Sequence, residues 1–176
     1  MVPLRYVAMG LVVVFLRADF GGYDALADPL GWALVLGALW RLRGSLPGTD
    51  VLLWLAAVAC VVSAATYLPV VSDGLSPSGE WAVSLPQLGF CIALCGPLAG
   101  VARATGTDRG SSRARWLELL RWLFVGLAAG PVLILGGGVD ALTTPVAVLA
   151  VVANVALVYL TFAVSVVRTA DPAESG

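Results

Sequence analysis

Few residues in this chain have side chains able to do chemistry, and their spacing is the first thing to read. Ser84, Gln87, Cys91 and Cys95 follow one another at intervals of three, four and four, which puts them on one face of a helix. Asn154, Thr161 and Ser165 are spaced seven and four, and Cys60, Ser63 and Tyr67 make a third stripe of the same kind. All three stripes interrupt long apolar runs. A polar group in such a run costs free energy unless it finds a partner, so the stripes are expected to turn inward, toward each other. Two readings compete. One is a polar path or small-solute site at the centre of a bundle, with Gln87 and Asn154 among its lining residues. The other is hydrogen bonding between helices, worth roughly 0.6 kcal/mol per contact in membranes.

A second concentration lies nearer the N-terminus, where Arg17, Asp19, Asp24 and Asp28 fall within twelve residues beside Tyr23. Asp24 and Asp28 form a candidate acidic site for a cation or a cationic headgroup. The competing reading is a solvated cap over two helix ends, with Asp28 as N-cap ahead of Pro29 at the first helical position. Thr144 before Pro145 offers the same pattern.

Other chemistry is missing. Without histidine there is no Ser-His-Asp arrangement and no common zinc site. Without lysine no P-loop can form. Cys91 and Cys95 are four apart, unlike a CxxC redox pair, and all three cysteines sit in apolar runs, where they read as small buried hydrophobes. No Asp, Glu or His occupies the middle of a span, where proton-coupled pumps place one. The chain is therefore expected to be no enzyme, with no cofactor and no metal. A net charge of -1 gives no reason to expect nucleic acid.

The elements that must hold these residues follow from composition. Of 176 residues 60% are apolar and 12% charged, against roughly 45–50% and 25% in an ordinary soluble domain. That much apolar surface cannot be hidden from water in one domain of this size, so the lipid bilayer is the expected solvent and partner. The fold class predicted is an all-α polytopic transmembrane bundle of six helices arranged as three antiparallel hairpins, with five helices as the alternative. A hydrocarbon core of about 30 Å takes some 17–25 helical residues. The spans are predicted at 2–20, 29–42, 51–71, 81–102, 116–135 and 145–167, within a single domain over 1–168, followed by a disordered cytoplasmic tail over 169–176. The first segment has the run of a signal peptide but no cleavage site, and reads as an uncleaved anchor. The second is short, and either spans, thins the bilayer or re-enters. In the fifth, Glu118 and Arg121 are close enough to pair, and Trp116 and Trp122 mark the interface. Pro86, Pro97 and Pro131 are candidate kinks or helix ends.

Arginine placement orients the chain. With six helices and the N-terminus inside, nine of the ten arginines lie on the cytoplasmic side and only Arg17 outside. The five-helix alternative scores the same, so charge fixes a cytoplasmic C-terminus and leaves the N-terminus open. The segment from Arg103 to Arg115 is predicted to be a basic cytoplasmic loop. The outer loops echo one another: Gly21 to Pro29 and Gly137 to Pro145 match at six of nine positions, through duplication or through shared turn chemistry. Gly96 with Gly100, Gly126 with Gly130, and Ala33 with Gly37 have the spacing that lets helices approach closely. Such faces suit a homo-oligomer or a membrane partner. The absence of lysine and histidine amid so much Ala, Val, Leu and Gly suggests a GC-rich bacterial genome, and hence a bacterial plasma membrane.

The stretch Asp24-Ala-Leu-Ala-Asp28-Pro29-Leu-Gly31-Trp32, followed by an aliphatic run, resembles an uncharacterised group of small bacterial polytopic membrane proteins. These carry an Asp-x-Leu-Pro-Asp-x-aliphatic-Gly-aromatic motif in an outer loop. The similarity covers about twenty residues, and Ala27 stands where the group has proline. It implies a polytopic bacterial membrane protein and carries no activity. The function expected is thus a non-enzymatic assembly, scaffold or sensory membrane component; the alternatives are a small-solute permease or channel and, last, a lipid-acting enzyme.

Overall fold

A computed structural model describes residues 2–15, 19–20, 23–24, 28–67, 74–137, 141 and 143–167. Six helices account for nearly all of them: α1 (Val2–Phe15), α2 (Asp28–Leu42), α3 (Thr49–Thr66), α4 (Pro77–Arg103), α5 (Asp108–Gly137) and α6 (Thr143–Val167). Local chemistry sets their ends. The Ser76 hydroxyl accepts the Gly79 amide and Pro77 fills the first helical position, so α4 starts four residues earlier than its apolar run. Thr107 does the same for α5, accepting the Gly110 amide at 3.1 Å. The predicted basic loop 103–115 is accordingly a connection of only four residues, 104–107, and Arg109, Arg113 and Arg115 are helical. Gly106, at φ 64°, supplies the left-handed turn that the connection requires.

The first helix is shorter than its predicted range. It ends at Phe15 as described, and Asp19–Phe20 pairs antiparallel with Tyr23–Asp24 across a two-residue link. Extended pairing at Asp19 and Phe20 excludes a helix that continues to residue 20. Asp28 is the first helical residue of α2 and so stands in its first turn, one position inside the expected cap and still favourable to the helix dipole. Thr144 is likewise inside α6, leaving Pro145 in the first turn, where its missing N–H has no intrahelical acceptor to lose. Pro86, Pro97 and Pro131 lie inside continuous helices and end none of them.

Each consecutive pair of helices packs antiparallel, and single contacts establish this. Gly10 meets Val35 while Gly31 meets Val14, so α1 and α2 run oppositely. Arg43 reaches Asp50 at one end of α2 and α3, and the Cys60 thiol points at the Pro29 carbonyl at the other. Gly48 lies by Pro97 and Gly89 by Leu55. Trp81 Nε1 donates to the Ala128 carbonyl, which sets α4 against α5. Arg113 donates to the Ala163 carbonyl while Gly130 faces Val146, which sets α5 against α6. Contacts of α1 with α6 close the ring, and α4 also touches α6. The three hairpins are present, joined in an up-and-down bundle.

Inward faces follow the helical period: Leu4, Val7, Leu11 and Val14 on α1, Trp32, Val35, Leu39 and Leu42 on α2, and Ala153, Leu157, Leu160 and Val164 on α6 are buried. Outward faces are apolar as well. Val148, Val151, Val152 and Val155 of α6 are all more than half exposed, a continuous apolar surface that water would not tolerate.

Three helices are long and apolar enough to cross a bilayer among the described residues: Thr49–Thr66, Ser78–Arg103 and Thr143–Val166. With 14 and 15 residues, α1 and α2 reach only about 21–22 Å at 1.5 Å per residue. Their crossing is close, backbone against backbone. A Cβ on Gly10 would stand 2.7 Å from the Gly31 carbonyl oxygen, and one on Gly31 would stand 2.8 Å from the Gly10 carbonyl oxygen. The expected small-residue positions Gly37, Gly96, Gly100 and Gly126 meet nothing within 4 Å. Gly10→Ala or Gly31→Ala is expected to lower stability by about 1–3 kcal/mol through overpacking. Gly96→Ala and Gly126→Ala should be neutral or slightly stabilising. Thermal unfolding of the four variants in one detergent checks the contrast.

Candidate functional site

The inward stripes converge only in part. Cys91, Cys95, Thr161 and Ser165 are buried, whereas Ser84, Gln87 and Asn154 are half-buried. On α3 the stripe turns outward along its length: Cys60 and Ser63 are half-buried, and Tyr67 is exposed. Where these side chains bond is decisive. Thr161 donates to the Leu157 carbonyl at 2.7 Å, Ser165 to the Phe162 carbonyl at 2.7 Å, and Ser84 to the Trp81 carbonyl at 2.7 Å. All three bonds return to the turn of helix just before the hydroxyl, the usual refuge of Ser and Thr in hydrocarbon. They neither link helices nor point donors into a channel. Gln87 and Asn154 make no side-chain hydrogen bond among the described residues.

The bundle interior is filled. Trp32 of α2 is fully buried and meets Phe90 of α4 edge-on, with centroids 5.2 Å apart and planes at 89°, a favourable aromatic geometry. Phe124 and Leu94 are also fully buried. Trp32 thus belongs to the core. Its indole N–H is the one buried polar side-chain atom without a partner among the described residues. The resemblance motif is partly explained here, since Gly31 and Trp32 serve the α1–α2 crossing and the core.

For the acidic candidates, Asp24 lies in the short ladder and Asp28 in the first turn of α2; the side chain of Asp24 and residue Arg17 lie outside the described residues. No group of three or more His, Cys, Asp or Glu side chains able to hold a metal occurs among the described residues.

A different concentration emerges at the opposite end. The antiparallel order gathers Arg5, Arg41, Arg43, Arg103, Arg109, Arg113 and Arg115 at one end of the bundle. Glu118 accepts from Arg103 across the α4–α5 interface, in place of the expected Arg121 partner three residues away. Arg113 neutralises the carbonyl-bearing end of α6 through Ala163, where a cation suits the helix dipole. Toward this end, Trp40, Trp54, Trp116 and Trp122 are all more than 60% exposed, as tryptophans near a membrane–water boundary are. From Pro97, beside the α2–α3 turn, α4 continues to Arg103, about 9 Å further. Sequence reading finds Trp116 and Trp122, but joining them to Trp40 and Trp54 requires knowing which helix ends meet.

No protein-family model matches the chain, and no curated protein or solved structure matches it either.

Because its hydrogen bond stays within one helix, Thr161→Val is expected to cost less than about 1 kcal/mol. Cys91 and Cys95 should resist a membrane-permeant maleimide in the folded protein and react once it is denatured in SDS. Unfolding curves and mass shifts check both outcomes.

Proposed function

We propose that this chain is a non-enzymatic component of a bacterial plasma membrane, crossing it six times with both ends in the cytoplasm and serving as an assembly, scaffold or sensory element. One observation carries the reading. The interior is closed by Trp32, Phe90, Leu94 and Phe124, while glycines with the spacing for close helix approach are left open outside, at Gly37, Gly100 and Gly126. Such a bundle offers its outer faces to itself or to a membrane partner. The clustering of arginines at one end supports a cytoplasmic placement of that end. The motif from Asp24 to Trp32 supports kinship with the small bacterial membrane proteins it resembles. A permease is the second reading, favoured by the half-buried amides of Gln87 and Asn154.

Proteoliposomes swollen with urea, glycerol or potassium chloride should behave as protein-free vesicles do. Protein-dependent swelling that Gln87→Leu with Asn154→Leu abolishes, without loss of folding, would instead favour the permease. A photoreactive residue replacing Gly126 should cross-link the chain to a discrete partner or second copy in cells; labelling of lipid alone would remove the assembly reading. An N-terminal tag should be inaccessible to protease added outside spheroplasts, and its digestion there would refute six spans.

A further inference from the structure

Between α2 and α3, at the arginine end, lies an open groove of about 400 Å³. Leu36 and Leu53 line it, Trp40 and Trp54 flank it, and Arg43 and Asp50 stand at one extremity. From Arg43 back to Leu36 the groove follows about 10 Å of helix axis, two-thirds of the roughly 15 Å depth of one leaflet's hydrocarbon. Its polar end therefore lies where headgroups begin, and its apolar length lies where acyl chains run. The charges at that end are arranged specifically. Arg43 Nε is 3.4 Å from Asp50 Oδ1, and the guanidinium lies 4.1 Å from the centre of the Trp40 ring. Both charged side chains remain open, with side-chain exposures of 47% and 80%. Trp40 fixes the guanidinium by a cation–π contact, which leaves its terminal N–H groups to bond two oxygens of a phosphate. The carboxylate beside it has lone pairs free for a cationic donor.

We propose that this groove seats a phospholipid with a primary ammonium headgroup, its phosphate on Arg43, its ammonium on Asp50 and one acyl chain between Trp40 and Trp54. The paired charges match a zwitterion. An anionic lipid such as phosphatidylglycerol gains Arg43 but meets the Asp50 carboxylate with no cation to offer it. Phosphatidylcholine carries no N–H to donate. The proposal is independent of which side of the membrane the arginine end faces.

Native mass spectrometry of the full chain in detergent, titrated separately with phosphatidylethanolamine, phosphatidylcholine and phosphatidylglycerol of identical acyl chains, tests it. One phosphatidylethanolamine should bind about tenfold more tightly than either of the others, a difference of about one charge-assisted hydrogen bond. Arg43→Ala should remove that binding, and Asp50→Asn should bring phosphatidylethanolamine down to the level of phosphatidylcholine. Leu36→Trp, which fills the groove without touching either charge, should weaken all three lipids and keeps the test decisive if Arg43→Ala does not fold. Equal binding of the three lipids, a preference for phosphatidylglycerol, or an undiminished preference in Asp50→Asn would overturn the proposal.

Discussion

Inside hydrocarbon a backbone amide or carbonyl has no water to turn to, so each must be bonded within the chain. The architecture follows from that requirement. Helices are the elements that meet it alone, and a chain with 60% apolar residues has them wherever lipid is its solvent. The same requirement governs the side chains. Thr161, Ser165 and Ser84 bond to carbonyls of their own helices, so polar residues that look like functional lining in the sequence act as self-satisfied parts of the packing. Polar side chains that must reach further do so at helix ends, as Arg113 does with Ala163.

With no difference in polarity between the inside and the outside of the bundle, apolar character cannot choose which face of a helix turns inward. Shape does so. The Gly10–Gly31 crossing brings two backbones into contact, where dispersion and weak polar contacts replace the hydrophobic drive available in water. The Trp32–Phe90 contact fills the space between α2 and α4. Short α1 and α2 are thereby anchored against longer helices, which carry the basic residues past the level of the α2–α3 turn.

Charge is the remaining organising force. Arginines collect at one end, and the ion pairs Arg43–Asp50 and Arg103–Glu118 there are both solvent-accessible. Exposed pairs of this kind contribute little to stability, about 0–1 kcal/mol. The position of Arg43 and Asp50 matters more, because they present charges of both signs at the end of an apolar groove.

Residue order and composition dictate the class of solvent, the helical class of fold, the approximate extent of each helix, and the clustering of basic residues between alternate segments. These are local or additive properties, legible one window at a time. The caps at Ser76 and Thr107 start α4 and α5 earlier than the apolar runs from 81 and 116 predict, because capping depends on single side chains that a hydropathy window averages away. Packing alone determined the rest. Of the glycines with helix-packing spacing, Gly37, Gly96, Gly100 and Gly126 meet nothing within 4 Å, whereas Gly10 and Gly31, which share no such motif, meet backbone to backbone. Glu118 had Arg121 three residues away and took Arg103 from another helix. Spacing along one helix fixes which residues share a face, but which face meets which neighbour depends on shapes supplied by segments distant in the chain.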